Sequence, residues 1–258
     1  MNPDGRYDRQ MVCAHLGPAG QRRLARGAAL VAGVGGLGCA SADLLARAGI
    51  GRLRLVDDDV VDLANLHRQV LFDEADAGAA KVEAAARRIG RVNSGVRVEA
   101  VARRFAPTNA AALAEGVDVI LDGTDNWPAR FLINDLAVER GLPWVFAGVV
   151  AAEAQIMTVV PGRTPCLRCV FESPPPPCAD PDCRSAGVLG PAVAVVAARQ
   201  AMEALKLLTG ADDAVDRHLT KLDLWTGRVQ RIDVAAAAAD ADCPCCRRRE
   251  FEFLHPDR

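Results

Sequence analysis

The sequence predicts an α/β protein with a doubly wound, mostly parallel sheet. Two observations predict this class: short apolar runs alternate with helical patterns through residues 28–160, and a glycine-rich turn follows the first apolar run. Strands are predicted at residues 28–32, 53–56, 96–102, 117–121, 142–149 and 155–160. Helices are predicted at residues 7–26, from the glycine turn to residue 48, at 81–89, at 128–140 and at 191–210, and a hairpin at 219–234.

The composition favours a cytoplasmic protein that binds neither nucleic acid nor membrane. Apolar residues make up 50% of the 258 residues, which allows a sizeable core. The net charge of −2 gives no basic excess for nucleic acid. The longest apolar stretch, Val188–Leu208, contains Arg199, Glu203 and Lys206, which indicates an amphipathic helix. The polar N-terminus lacks the apolar run of a signal peptide.

The glycine-rich turn between the first strand and the next helix predicts a nucleotide site. It contains Gly33, Gly35, Gly36 and Gly38, in the Rossmann-like pattern G-x-G-x-x-G. Glycines let the backbone approach a phosphate, and the helix N-terminus supplies unpaired N–H groups. Asp57 and Asp59 follow the second strand, where an acidic side chain commonly binds ribose. Alone, the motif fits NAD, FAD, S-adenosylmethionine or ATP, or a tight turn without a ligand.

Residues beyond the turn favour ATP over NAD. Asn65 and Arg68 follow the acidic cluster, and Lys81 precedes a helix; cations of this kind stabilise charge on an α-phosphate and leaving pyrophosphate. Asp125 and Asn126 follow the fourth strand, where a carboxylate can hold Mg²⁺ beside phosphates. Arg68 is alternatively a surface ion-pair partner and Lys81 an exposed helix lysine. Asp125 or Asn126 is alternatively a helix cap.

Four of the nine cysteines predict a structural zinc site. Cys166 and Cys169 form one C-x-x-C pair, and Cys243 and Cys246 form another. Together they supply four thiolates for tetrahedral zinc, which would clamp the C-terminal residues onto the segment after the sheet. Cys245 is a competing ligand, because it forms a C-x-C pair with Cys243. The alternative to zinc is unrelated cysteines or a redox pair.

The other cysteines carry weaker signals. Cys178 and Cys183 lie in a segment rich in Pro, Cys and Asp, at residues 161–190, which is predicted to be a long irregular loop that is either functional or disordered. Arg184 would favour the thiolate of Cys183, which could then take up an acyl group or sulfur; the alternative is a loop cysteine without a role. Cys13 and Cys39 have helical neighbours and are predicted to be core residues.

The order of these motifs resembles one known family. Along the chain come RYDRQ at residues 6–10, GVGGLG, the aspartates at 57–59, NLHRQ, Lys81, TDN, the two C-x-x-C pairs and, between them, CRSAGVLGP. This set resembles the MoeB/ThiF/HesA group of E1-like enzymes over about residues 6–246. The resemblance implies that ATP adenylates the terminal Gly-Gly carboxylate of a ubiquitin-like sulfur-carrier protein, which then accepts sulfur as a thiocarboxylate.

The resemblance also assigns roles to single residues. Gly35 and its neighbours would cradle phosphate, and Asp57 would hold the ribose. The triphosphate contacts would be Asn65, Arg68 and Lys81, with Mg²⁺ on Asp125. Arg9 would reach into the neighbouring subunit's site, which implies a homodimer. Cys183 would be the cysteine of a mobile crossover loop, and the two C-x-x-C pairs would be the zinc ligands of a C-terminal antiparallel extension.

The resemblance further predicts one adenylation domain spanning residues 1–258. Its parts are an N-terminal helical arm (1–27), a nucleotide-binding α/β core (28–160), a zinc knuckle with the crossover loop (161–190), and a helix, hairpin and second knuckle (191–258). The residues after Cys183 favour the thiamin (ThiF) branch over the molybdopterin branch. Ala154 stands where the family usually has glycine. A tail follows Cys246 without a sulfurtransferase domain, so a separate sulfurtransferase or cysteine desulfurase is expected as partner.

Three other functions remain open at this point. The chain is alternatively an NAD-dependent oxidoreductase, an enzyme that adenylates a peptide or a tRNA base, or an inactive partner that only binds a carrier. The strands at 142–149 and 155–160 are expected to present an apolar docking surface, with Val149, Val150 and Ile156 as candidates.

Overall fold

The computed structural model describes residues 5–174, 186–238 and 242–256. These residues build an eight-stranded mixed sheet with the strand order β3-β2-β1-β4-β5-β6-β7-β8. The strands are β1 (Ala28–Ala32), β2 (Arg52–Val56), β3 (Arg97–Val101), β4 (Val119–Asp122), β5 (Trp144–Val150), β6 (Glu153–Val159), β7 (His218–Asp223) and β8 (Arg228–Asp233). Strands β1 to β5 pair in parallel, and β5 to β8 pair antiparallel. The predicted fold class is confirmed.

Helices cover both faces of this sheet. They are α1 (Asp8–Met11), α2 (Gly17–Leu24), α3 (Gly36–Ala48), α4 (Lys81–Val92), α5 (Pro107–Leu113), α6 (Trp127–Arg140), α7 (Leu167–Val170), α8 (Gly190–Thr209) and α9 (Val234–Ala238). The buried side chains of α2, α3, α4 and much of α8 form one core, and those of α5, α6 and α7 form another on the opposite face. None of the helices in the described ranges has the length and apolar character that a membrane span requires.

The long helices start and stop where the sequence signals predict. The side chain of Asn126 caps α6, Pro128 lies in its first turn, and Gly141 ends it with a positive φ of 68°. Pro191 lies in the first turn of α8, and Gly210 ends that helix with a φ of 74°. The bounds of α6 and α8 therefore agree closely with those predicted from the sequence.

The structure differs from the local predictions at the N-terminal arm and at three helices that were not predicted, α5, α7 and α9. The N-terminal arm is two short helices instead of one, because the chain turns between α1 and α2 through Gly17, whose φ is 61°. Helix α5 was absent from the predicted elements. Its signal is the Asn109 side chain, which accepts a hydrogen bond from the Ala106 N–H at 3.0 Å, with Pro107 as the first helical residue.

The functional loops gather at what we call the carboxyl edge, the edge of the sheet where β1, β2, β4 and β5 end. Two of these loops touch through glycine. A Cβ atom on Gly33, after β1, would lie 2.6 Å from the Gly123 carbonyl oxygen, and one on Gly123, after β4, would lie 2.1 Å from the Gly33 oxygen. Gly33 also has a positive φ of 89°. Only glycine allows this approach, which brings the first and fourth strand ends together.

Candidate active site and metal centre

The glycine turn fits a ligand that approaches its backbone. A Cβ on Gly38 would lie 2.0 Å from the Gly33 oxygen, so this glycine is needed for the first turn of α3 to pack on the strand. A Cβ on Gly35 would instead meet nothing closer than 3.8 Å. Gly35 therefore leaves open space at the N-terminus of a 13-residue helix, where N–H groups lack partners. This is the cradle that a phosphate would fill.

Asp57 fixes the shape of this turn. Its Oδ2 accepts a hydrogen bond from the Val34 N–H at 2.6 Å, and its Oδ1 accepts one from the Asp59 N–H at 2.8 Å. Burial raises the pKa of Asp57 above its ordinary value, although these two hydrogen bonds and the charge of Lys81 act in the opposite direction. The structure thus places Asp57, the residue predicted to bind ribose, beside the glycine turn.

Lys81 is buried, contrary to the alternative of an ordinary exposed helix lysine. It is only 5% exposed, as the first residue of α4. Its Nζ donates to Asp59 Oδ2 at 2.8 Å, and the Asp59 side chain is itself 70% exposed. A buried ammonium needs a partner of opposite charge. The pair places the ammonium of Lys81 at the carboxyl edge and leaves the Asp59 carboxylate exposed to solvent.

Arg68 lies along the start of α3. Its Nη2 donates to Asn65 Oδ1 at 2.9 Å, and a Cβ on Gly36 would lie 3.4 Å from Arg68 Cγ. Within the described residues the guanidinium has no carboxylate partner, which disfavours the surface ion-pair alternative. Asn65 therefore orients Arg68 beside the cradle, and the positive charge remains available for an anion.

Gln69 was missed as a site residue, although it belongs to the same motif. It is 2% exposed, and its Oε1 has no hydrogen-bond partner among the described residues. Its Nε2 lies 4.0 Å from the position that a Cβ on Gly35 would take. An unpartnered buried amide is costly unless a ligand or water satisfies it. Its position beside the cradle fits a bound polar ligand.

The loop after β4 leaves Asp125 free. The helix cap is Asn126, whose Oδ1 accepts from the Ala129 N–H at 3.0 Å, and Asn126 Nδ2 donates to Asp125 Oδ1 at 3.3 Å. Asp125 is exposed at the carboxyl edge. The capping alternative therefore applies to Asn126, and the carboxylate of Asp125 remains available to a cation.

Asp122 and Arg130 bond to the loop after β4 from the buried side, and neither was predicted to have a role in the site. Asp122 is fully buried; its Oδ1 accepts from the Thr124 N–H at 2.9 Å and the Thr124 hydroxyl at 2.6 Å. Its Oδ2 lies 3.3 Å from Arg130 Nε, and the guanidinium lies over the rings of Trp127 and Phe146. Burial raises the pKa of Asp122, and Arg130 opposes that shift. The signal in the sequence was Arg130, a charged residue among the apolar positions of the predicted helix at 128–140.

Arg9 lies away from the nucleotide site of its own chain. The arm residue Tyr7 packs on Gly49, which follows α3, and accepts a hydrogen bond from Asn93 Nδ2, after α4, at 2.7 Å. These are the far ends of the helices that begin at the cradle. Since α3 has 13 residues and a helix rises ~1.5 Å per residue, about 20 Å separates the two ends. Arg9 is exposed at this distance.

Four cysteines converge at what we call the cysteine corner: Cys166, Cys169, Cys243 and Cys246. Their Sγ atoms all lie within 4.8 Å of one another. Three Sγ–Sγ distances are 3.6 Å for Cys166–Cys243, 3.8 Å for Cys166–Cys169 and 3.4 Å for Cys169–Cys246. A tetrahedral zinc with Zn–S bonds of ~2.3 Å requires Sγ–Sγ separations of about 3.8 Å. The predicted cluster is therefore present and fits zinc.

The cysteines outside this cluster differ in their exposure to solvent. Cys245 is fully buried and lies outside the four-cysteine cluster, which favours the C-x-x-C pairing over the C-x-C alternative. Cys39 is buried as predicted, but Cys13 is exposed, so the prediction of a core role for Cys13 is wrong. It lies in the turn between the two short helices of the arm. Cys178 and Cys183 lie outside the described residues.

With the geometry in hand, comparison with known proteins identifies the family. The model of the ThiF family matches residues 7–245. The chain belongs to this family. It is 38% identical over 252 residues to a sulfur carrier protein ThiS adenylyltransferase of Bacillus subtilis, covering 97% of this chain and 74% of that protein. The predicted family and the predicted enzyme class, an adenylyltransferase, are confirmed.

A second relative is longer than this ThiF-family chain. The adenylyltransferase and sulfurtransferase MOCS3 of Sus scrofa is 43% identical over 244 residues. The match covers 95% of this chain and 53% of MOCS3, so the chain spans about half the length of that relative.

Among solved structures, E. coli MccB, crystallised with MccA-N7isoASN, has the same fold. It superposes with a TM-score of 0.82 at 22% identity, covering 96% of this chain and 75% of that chain. At this identity the likeness concerns the fold alone.

Proposed function

We propose that this chain uses ATP to adenylate the C-terminal Gly-Gly carboxylate of a ubiquitin-like sulfur carrier, in thiamin or molybdopterin biosynthesis. The observation that carries the proposal is the convergence at the carboxyl edge. An open glycine cradle at a helix N-terminus lies beside Arg68, which has no carboxylate partner among the described residues, and touches the loop that bears the exposed Asp125. Family membership and the adenylyltransferase relatives support the same assignment.

The chemistry requires positioning and charge stabilisation. The carrier's terminal carboxylate is ionised at neutral pH, so no general base is needed for its attack on the α-phosphate. Arg68 and Lys81 would stabilise the charge that develops on the phosphates, and Asp57 would hold the ribose. Asn65 keeps the guanidinium of Arg68 in place through its 2.9 Å hydrogen bond. Mg²⁺ held by Asp125 would neutralise phosphate charge.

Arg9 is proposed to act on the site of a second subunit. It lies about 20 Å from its own cradle, by the length of α3, and has no ion pair within the described part of the chain. Exposed apolar side chains on α3 and α8 favour a homodimer: Leu44 is 39% exposed, Val195 44% and Met202 54%. A dimer that covers these residues would allow the arm of one subunit to approach the other.

The carrier is proposed to dock where the antiparallel strands β6–β8 meet the carboxyl edge of the sheet. The strand residues expected to form this surface, Val149 and Ile156, are buried at 7% and 4% exposure, because α8 covers β5 and β6. A cavity of about 530 Å³ lies instead beside the β5–β6 turn, against residues 186–189 and the 81%-exposed Trp225. The start of α8 leads from it to the Arg68 segment, since a Cβ on Gly190 would lie 2.5 Å from the His67 oxygen.

The sulfur for the thiocarboxylate is proposed to come from a separate sulfurtransferase or cysteine desulfurase in the cytoplasm. Among the described cysteines, only Cys13 is exposed, and it lies in the arm. Cys183 is proposed as the cysteine that receives the activated acyl group or sulfur. The whole chain is proposed to act as one adenylation domain.

The direct test mixes the chain with ATP, Mg²⁺ and purified carriers ending in Gly-Gly, and follows acyl-adenylate by mass spectrometry. The expected product is carrier-AMP, formed only when the two terminal glycines are present. A carrier of the thiamin type and one of the molybdopterin type distinguish the two pathways. Adenylation of a peptide or tRNA base, with no carrier-AMP, would contradict the proposed acceptor.

The role of Asp125 is tested by pyrophosphate exchange into ATP. Asp125→Ala is expected to reduce carrier-dependent exchange by roughly 100-fold or more, since one charge contact in such a site has that effect. Glu83→Ala, which removes an exposed carboxylate from α4, is the matched control. Full exchange in the Asp125 variant would remove this residue from the reaction.

A further inference from the structure

A polar side chain lies fully buried in the middle of α6, at Asn134. Its exposed fraction is 0%, and its neighbours Phe131, Ile133 and Leu136 are also fully buried. A buried amide without partners destabilises a fold, so native amides at such positions are almost always hydrogen-bonded. The partners of Asn134 therefore indicate what it does.

Both ends of the amide reach the cysteine corner. Asn134 Oδ1 accepts a hydrogen bond from the Leu167 N–H at 2.8 Å, and its Nδ2 donates to Cys245 Sγ at 3.3 Å. Leu167 lies between the two cysteines of the first C-x-x-C pair, and Cys245 lies between those of the second. One side chain thus joins two segments that are far apart in the sequence.

We propose that Asn134 is a positioning residue for zinc, which fixes the two cysteine pairs at their binding distance before the metal arrives. The proposal concerns the cysteine corner and stands apart from the adenylation reaction. Four thiolates repel one another without a metal, so their approach must be stabilised by other contacts. Hydrogen bonds outside the ligand set orient metal ligands in many proteins, and here they act on the residues that lie between the ligands, Leu167 and Cys245.

The N-terminus of α7 shows how the amide holds the first cysteine pair. Cys166 is the N-cap residue of this short helix, but its side chain makes no capping hydrogen bond. The first N–H groups of a helix need an acceptor, which is usually the N-cap side chain. Asn134 Oδ1 accepts from the N–H of Leu167, the first residue of α7, and so fixes the backbone next to Cys166 from another helix. The Cys166 sulfur makes no capping hydrogen bond and points instead into the four-cysteine cluster.

A second buried amide provides the control. Gln200, on α8, is also 0% exposed; its Nε2 donates to the backbone oxygens of Asp122 at 2.8 Å and Val145 at 2.9 Å. Its Oε1 accepts from the Ser41 hydroxyl at 2.7 Å. Gln200→Ala removes a similar set of hydrogen bonds without touching either cysteine pair. It separates general loss of stability from a specific effect on the metal.

The test measures the zinc affinity of the full chain by competition with a chromophoric chelator. Asn134→Ala is expected to bind zinc roughly 10- to 100-fold more weakly than the wild type, as for other outer-sphere variants. Gln200→Ala is expected to lower the melting temperature and keep wild-type zinc affinity. Equal zinc affinity in Asn134→Ala and the wild type would overturn the proposal.

A milder variant covers the case in which Asn134→Ala does not fold. Cys245→Ala removes the far partner of the amide, together with a contact to Asp135, and leaves all four cluster cysteines in place. Faster release of zinc to the chelator than from the wild type supports the proposal, and an unchanged release rate counts against it. A wild-type chain that holds no zinc would overturn both the metal assignment and the role of Asn134.

Discussion

At the carboxyl edge, the glycine turn is held by backbone geometry and the Asp125 carboxylate is open to solvent, whereas at the cysteine corner Cys166 and Cys243 are buried and a side chain, Asn134, joins the two cysteine segments. Asp57 shapes the glycine turn through the Val34 N–H and holds its own loop through the Asp59 N–H, and Asp125 is exposed. Cys166 and Cys243 are instead 1% and 3% exposed. The first region leaves room for a ligand to enter and leave, whereas the second encloses two of its four thiols. Stability and binding should therefore respond to different substitutions.

Removal of the metal is expected to have the largest effect. Structural zinc contributes on the order of 10 kcal/mol of binding free energy in small domains, and that energy is lost from folding when the metal is stripped. For a chain of this size the melting temperature is expected to fall by at least about 10 °C. Calorimetry with and without a strong chelator measures this fall.

Two cysteine variants sharpen that experiment. Cys166→Ser is expected to melt like the stripped protein, and the exposed Cys13→Ser like the loaded wild type. If the chelated and loaded proteins melt together, the corner does not depend on a metal.

Gly38→Ala is expected to have the next largest effect, at the carboxyl edge. The added Cβ would lie 2.0 Å from the Gly33 oxygen, so the backbone of the turn must shift. ATP affinity is expected to fall at least ~100-fold, which corresponds to about 2.7 kcal/mol, and zinc content to stay unchanged. Isothermal titration with ATP and metal analysis measure the two quantities.

Gly35→Ala separates the cradle from the packing of the helix. Its Cβ meets nothing closer than 3.8 Å, so the melting temperature should stay near that of the wild type while ATP binds more weakly. Undiminished ATP affinity in this variant would contradict the cradle.

Titration of Asp57 is expected to have a smaller effect. Acid should change the free energy of unfolding and the ATP affinity in opposite directions. Because burial raises its pKa in the folded state, Asp57 contributes stability that is fully present below its unfolded pKa and is lost as pH rises through the folded pKa. Protonation should, in contrast, weaken its hold on a ribose. ATP affinity is therefore expected to fall with acid while the contribution of Asp57 to stability rises.

The comparison of wild type with Asp57→Asn isolates these contributions, since acid acts on the zinc thiolates equally in both. Urea unfolding and ATP titration from pH 3 to 7 measure them. A stability difference between the two proteins that does not vary with pH would show that Asp57 has an ordinary pKa.

The smallest effect is expected at Gly90, an exposed glycine of α4. A Cβ there would meet nothing within 4 Å. Gly90→Ala should raise the free energy of unfolding by roughly 0.5–1 kcal/mol, because alanine loses less backbone entropy in a helix. Urea denaturation checks this value, and ATP affinity should not change, since α4 contributes to the site only through Lys81 at its other end. Loss of stability would show that α4 is strained at this position.

The sequence was most informative where a function needs several residues at fixed spacing. The glycine turn, Arg68, Lys81 and the two cysteine pairs were found because their local patterns are strict, and the structure brings each set together. Helix ends were also predictable, since Asn126 and Gly141 act through nearby backbone. The family resemblance supplied the order of the motifs and is confirmed.

Residues that act through distant partners were missed. The role of Asn134 depends on Leu167 and Cys245, and that of Arg130 on a carboxylate and two rings. Hydrophobic strand residues were also misjudged: Val149 was expected at the surface, but α8 covers it. Apolar strand sequences do not distinguish a surface that meets a partner from one that meets the chain's own helix.

Helix α6 connects the two regions compared above. Asn126, Arg130 and Asn134 are spaced four residues apart; Asn126 caps the helix where it follows the Asp125 loop, and Asn134, inside the helix, reaches Leu167 and Cys245 beside the cysteine pairs. Eight residues of helix form a stiff rod of about 12 Å. One rigid element therefore sets the distance between the Asp125 loop and the cysteine corner.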